Sequence, residues 1–144
     1  MTNSTSKVAT WFWIVASLMV LWNIMGLASF SYHVFITDEM LAAMPEKESA
    51  LFDEYPLWTD ITFGIAVFGG LLGSIGLLLR KRWSKILLKV SLIAILIQMS
   101  HSLFFTDSME VYGPKTVVMP IILIVIAIFL IWFANLADKK GWLR

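Results

Sequence analysis

The chain contains no cysteine. That removes disulfides, iron–sulfur clusters and thiolate metal sites together. Charge is scarce as well: charged residues make up 15% of the sequence, where a soluble domain carries about a quarter. The two histidines, His33 and His101, stand in no HxxxH or ExxH spacing, and there is no CxxCH for haem attachment. Also missing are a G-x-S-x-G turn, a phosphate-cradling P-loop and paired acids inside an apolar run. These gaps give no basis for an enzyme, a resident metal or another cofactor. The remaining metal option, a site built from His33, Asp60 and His101, needs three separate helices and has no local signature.

What the chain has is apolar residues, 59% of the total, with a mean hydropathy of +0.82. Apolar runs beyond about 18 residues with few charges read as membrane-spanning helices. Four such runs occur, at roughly 8–33, 57–79, 84–105 and 115–137, joined by an outer loop over 34–56. They leave no room for a soluble domain, so the expected fold is an all-α integral membrane protein, one four-helix bundle spanning 1–144. The first run exceeds the apolar region of a secretory signal, about 7–15 residues, and is expected as a retained first helix.

Lys7, Arg80, Lys81, Arg82, Lys85, Lys89, Lys139, Lys140 and Arg144 fall on the two terminal segments and the second loop. In a four-span topology those segments share one side. Only Lys47 and Lys115 fall on the other side, which holds every acid except Asp138. Basic bias in short loops places both termini in the cytoplasm. The same bias accounts for RKRWSK (80–85) as a tight cytoplasmic turn, so no nucleic-acid partner is expected and membrane lipid is the natural surrounding. Trp11, Phe12, Trp13, Trp83, Trp132 and Trp142 suit the inner interface, and Trp58 the outer one.

In the outer loop, Leu41, Met44, Leu51, Phe52 and Tyr55 recur at helical spacing. Pro45 suits a helical first turn, which predicts a short amphipathic helix over 45–54 lying on the interface or capping the bundle. Thr37 or Asp38 is placed to cap a turn over 39–44. FITDEM (35–40) is echoed by FFTDSM (104–109), the Tyr55-Pro56 pair by Tyr112-Gly113-Pro114, and KRW (81–83) by KKGW (139–142). The order fits two hairpins related by duplication, and it also fits recurring interface residues.

Polar groups inside a bilayer are costly and are the first candidates for function. Asn23 lies near the middle of the first helix, and Gln98 slightly outward of the middle of the third. His101 is one turn further out, while His33 and Asp60 lie near outer ends. These five are expected to converge on a polar cavity in the outer half. Ser84, Ser91, Gln98 and Ser102 form one stripe of the third helix. The plainer alternative for Asn23 and Gln98 is hydrogen bonding between helices. On the second helix, Ala66, Gly69, Gly73 and Gly76 share a face opposite Asp60, suited either to packing inside the bundle or to self-association.

WNIMG (22–26), YPLW (55–58), GGLLGSIGLLLRKRW (69–83), YGPKTVVMP (112–120) and the terminal GWLR resemble a group of small four-helix bacterial membrane proteins. The group has no defined activity, and some members carry the label "sugar transporter". The resemblance spans nearly the whole chain. It implies a bacterial inner-membrane location and four-helix topology, and carries no catalytic or binding residue with it. Two functional expectations follow. One is a transporter or ligand-binding membrane protein for a small solute, acting as a homo-oligomer with a pathway between protomers. The other is a non-transporting accessory or scaffold protein that binds lipid or a larger membrane complex.

Overall fold

The computed structural model describes residues 7–144 and is helical throughout, with no strand among the described residues. Four helices are long and apolar enough to cross a membrane: α1 (Thr10–Val34), α4 (Leu57–Leu78), α5 (Ser84–Phe104) and α7 (Val118–Lys139). At 1.5 Å per residue each exceeds about 30 Å, the thickness of a bilayer's hydrocarbon. Helices are the natural response of these runs to an apolar solvent, because every backbone donor and acceptor finds its partner inside the segment. Pro120 sits in the first turn of α7, where its missing N–H removes no helical hydrogen bond. That helix starts at Val118 rather than near 115, because Gly113–Val117 winds as a 3-10 turn beginning at Gly113, whose φ is 75°.

Three short helices lie at the end of the bundle opposite the basic residues. α2 (Asp38–Ala42) and α3 (Glu46–Leu51) join α1 to α4, and α6 (Ser108–Tyr112) lies between α5 and α7. The Thr37 hydroxyl accepts from the Met40 amide at 3.2 Å and starts α2. Pro45 precedes α3, and Asp107 precedes α6 without a side-chain cap. The two outer segments are tied together: Glu54 Oε2 accepts from the Asp107 amide at 2.8 Å, and the Tyr55 and Ser102 hydroxyls lie 3.0 Å apart.

The longest helix–helix seam joins α4 to α5, followed by α1 on α4 and α5 on α7. Ala66, Gly69, Gly73 and Gly76 build the first of these. A Cβ on Gly73 would come within 2.8 Å of Leu88 Cγ, and one on Gly76 within 2.9 Å of Ser84 Cβ. Small residues let the two backbones approach closely. The glycine face is therefore filled by α5 of the same chain and is closed to self-association.

At the basic end the bundle is fastened. Phe12, Leu77, Leu130, Phe133, Trp142 and Leu143 form a buried core there, with Phe12 stacked on Phe133 at 5.4 Å and edge-on to Trp142 at 5.5 Å. Trp142 is 5% exposed, so it is a core residue and not an interface anchor. Gly141, at φ 75°, turns the chain back after α7. The final residues then pair with the α4–α5 turn: the Arg82 amide donates to Arg144 O, the Arg144 amide to Arg80 O, and Arg80 Nε to Trp142 O. Asp138 receives Arg82 Nε at 3.0 Å and Lys85 Nζ at 2.8 Å.

Candidate functional site

α1 and α7 meet through this aromatic cluster, and further along they part. α1 buries only Phe12 and Ala16, both in its first turns. Beyond them the four helices enclose a cavity of about 360 Å³. Its walls come from Trp22, Asn23 and Gly26 on α1, Phe63, Val67 and Gly70 on α4, Leu88, Ser91, Gln98 and Met99 on α5, and Met119, Leu123 and Ala127 on α7. Leu130, in the aromatic core, closes the basic end. At the sides Met25 and Met119 belong both to the lining and to the outer surface, being 65% and 55% exposed. The cavity thus opens between α1 and α7. Among the described residues no charged side chain or histidine lines it; Asn23, Ser29, Ser91 and Gln98 supply polar side chains, and Trp22 an indole N–H.

Those groups differ in what they have left to offer. Asn23 Nδ2 donates to Met19 O at 2.8 Å and to Ser74 Oγ at 2.9 Å, joining α1 to α4. Ser91 Oγ donates to Ala66 O at 2.6 Å, joining α5 to α4. Gln98 is 5% exposed, and its Oε1 is enclosed with no hydrogen-bond partner among the described residues. A buried acceptor left unpaired costs about 1–3 kcal/mol. Gln98 therefore carries the enclosed, unused hydrogen-bonding capacity of the cavity wall, while Asn23 and Ser91 are tied through their donors, and the Ser29 hydroxyl and Trp22 indole N–H line the cavity without a partner among the described residues.

The other candidates lie elsewhere. His33 Nε2 and Asp60 Oδ1 are 3.1 Å apart at the acidic end, with the His33 ring stacked on Phe52. His101 is buried against Trp58 and Tyr55, where it borders a separate surface groove with Leu96, Ile97 and Phe105, and its Nδ1 has no partner among the described residues. Three residues past Gln98, it is rotated about 60° around the helix, which turns it from the cavity toward the start of α4. The five polar residues therefore do not converge: Asn23 and Gln98 share the cavity, His33 and Asp60 form a pair above it, and His101 stands apart. Tyr55 lies between the histidines, 5.3 Å from the His33 ring and 5.4 Å from that of His101. Among the described residues no three His, Asp or Glu side chains gather as a metal site.

Two participants were not singled out from sequence. Ser74 holds Asn23, and its signal was a lone hydroxyl in an apolar run one turn after Gly70. Tyr55 was read as part of an amphipathic loop helix, and nothing in its spacing marks its place between two histidines. No protein-family model matches this chain, nor does any curated protein or solved structure.

Proposed function

We propose that this chain is a membrane-embedded binding protein for a small molecule, whose site is the cavity between α1, α4, α5 and α7. The carrying observation is the pairing of an open cavity of about 360 Å³ with the enclosed, unpartnered Gln98 amide. The volume lies within the range of about 300–1,000 Å³ of small-molecule sites, which are mostly apolar with a few placed polar groups. The basic end is sealed by Phe12, Phe133 and Trp142, so binding is the step this geometry supports directly. Transport adds an opening of that seal, and a homo-oligomer adds a second route between protomers.

The setting belongs to the same proposal. The basic end faces the cytoplasm of a bacterium, with the chain in the inner membrane, on the strength of the Lys/Arg asymmetry and the family resemblance. α2 and α3 lie on the outer interface, and the echo of FITDEM in FFTDSM reflects an ancestral duplication of two hairpins. The accessory-protein reading takes the glycine face of α4 and the amphipathic outer loop as its contact surfaces; α5 packs on the glycine face, which leaves the outer loop for that reading.

Native mass spectrometry from nanodiscs tests the reading. A discrete added mass should be retained by the wild type and lost on Gln98→Leu and Gly26→Phe. The second variant fills open space, since a Cβ at Gly26 meets nothing within 4 Å. The same spectra read the oligomeric state. Identical spectra for all three proteins, bare or with bulk lipid only, would overturn the proposal.

A further inference from the structure

We infer that the cavity takes an aliphatic alcohol from the membrane phase, a molecule with an apolar body and one hydroxyl group that arrives sideways between α1 and α7. This rests on the binding reading above and adds the chemical class and the route.

The wall chemistry sets the class. No cation or carboxylate faces the cavity, so an ionised ligand would lie there uncompensated, which is strongly unfavourable. A sugar carries several hydroxyls, and each one left without a partner in an apolar site costs free energy. Asn23 Nδ2 and Ser91 Oγ already donate within the protein. The buried uncommitted amide is that of Gln98, whereas Ser29 is exposed at the cavity edge, where its hydroxyl reaches the surroundings. One amide matches one hydroxyl well, because a hydroxyl both donates and accepts and an amide does the same. The terminal amide torsion of glutamine is soft, so a donor in the cavity can draw Oε1 round from its enclosed position.

Position sets the route. Met25 and Met119 flank the mouth on the lipid-facing side of the bundle, and Gly26 leaves the gap between them unfilled. Gln98 lies six residues before the end of α5, about 9 Å below the acidic end. A phospholipid would have to carry a charged headgroup to that depth; an alcohol also rests with its hydroxyl at the interface, but moving one neutral hydroxyl inward costs far less, and the Gln98 amide offsets it. A cavity of about 360 Å³ stands at the small end of the usual range for small-molecule sites, which suits a medium-chain alcohol.

The test uses the full chain in nanodiscs with two photoreactive probes, 1-dodecanol bearing a mid-chain diazirine and its methyl ether. The alcohol should label Met99, Met119 and Leu123 about fivefold more than the ether at equal concentration, the share of one net hydrogen bond. Gln98→Met should bring that ratio to about one while leaving ether labelling unchanged, and Gly26→Phe should lower labelling by both. Equal labelling by the two probes in the wild type would overturn the alcohol assignment and leave a binding site for apolar molecules. Protection of these positions by glucose, with the alcohol inert, would overturn class and route together but keep a binding protein. Labelling no stronger than at the exposed residues Ile93 and Val125 would overturn this inference and the binding reading alike. So would exclusion of both probes by a helix of another protein crosslinked in the α1–α7 gap.

Discussion

Gly70 offers a sharp test of how α1 is held. A Cβ at this position would overlap Asn23 Oδ1 at a separation no van der Waals contact permits, and would lie 3.2 Å from Ser91 Oγ. Asn23 cannot yield without cost, since its Nδ2 is anchored to Met19 O and to Ser74 Oγ. Gly70→Ala should therefore evict the Asn23 amide and break the Asn23–Ser74 bond. Interhelical hydrogen bonds in membranes average about 0.6 kcal/mol and reach about 1.7. Alanine gains up to about 1 kcal/mol over glycine in a helix interior, but that gain is the same with or without Asn23. A double-mutant cycle with Asn23→Ala cancels it. The expected coupling is about 1 kcal/mol: Gly70→Ala destabilises the wild type, yet in the Asn23→Ala background it is neutral or stabilising. Reversible unfolding in mixed micelles, or steric trapping in bicelles, has the needed precision. Additivity of the two changes within about 0.3 kcal/mol would refute the claim that Gly70 exists to admit the Asn23 amide.

Two other outcomes follow from the same geometry. Arg80 has a φ of 61°, a left-handed conformation that costs a non-glycine residue about 1–2 kcal/mol, while its Nε donates to Trp142 O. Arg80→Gly relieves the strain as it loses the bond, so it should unfold close to the wild type, whereas Arg80→Ala should be less stable than Arg80→Gly by about 1 kcal/mol; equal stabilities of the two variants would count against this backbone reading. Gln98→Leu removes an enclosed, unpaired acceptor and should stabilise the ligand-free protein by about 1 kcal/mol in thermal unfolding, so a clear loss of stability would mean that Gln98 is a structural tie after all.

The four spans were legible because the bilayer's thickness sets a length that few other folds demand, and only the ends shifted, as where Gly113 delayed α7. Periodicity also showed which residues share a face. It did not show what that face meets. Ala66, Gly69, Gly73 and Gly76 share a face by their spacing, yet close packing asks for small residues whether that face meets α5 or a second copy. Gln98 and His101 looked like neighbours on one helix, and a rotation of about 60° sent them to different surroundings. Trp142 looked like an interface anchor because tryptophan commonly is one. Its burial depends on a non-periodic return of the last residues onto the α4–α5 turn, made by Arg80 and Arg82 through hydrogen bonds that no helical wheel contains.

The uneven fastening of the bundle has a functional consequence. α4 and α5 are locked along their length by the glycine seam, and α7 is tied to them at the basic end by Asp138 and the returning tail. α1 is buried only at its start. Past that point its side-chain hydrogen bonds to the rest of the described chain are Asn23 to Ser74 and His33 to Asp60. Each is worth on the order of 1 kcal/mol, and Phe30 adds edge-on contacts with Phe63 and Phe68, so the outer part of α1 is held to α4, while among the described residues no side-chain hydrogen bond joins it to α7. The Gln98 cavity lies beside the most weakly tied boundary of the bundle, that between α1 and α7, and its mouth is there. The proposed binding site would have the close-packed α4–α5 seam as its back wall and the α1–α7 gap as its entrance, a division that follows from where small and aromatic residues fall along the chain.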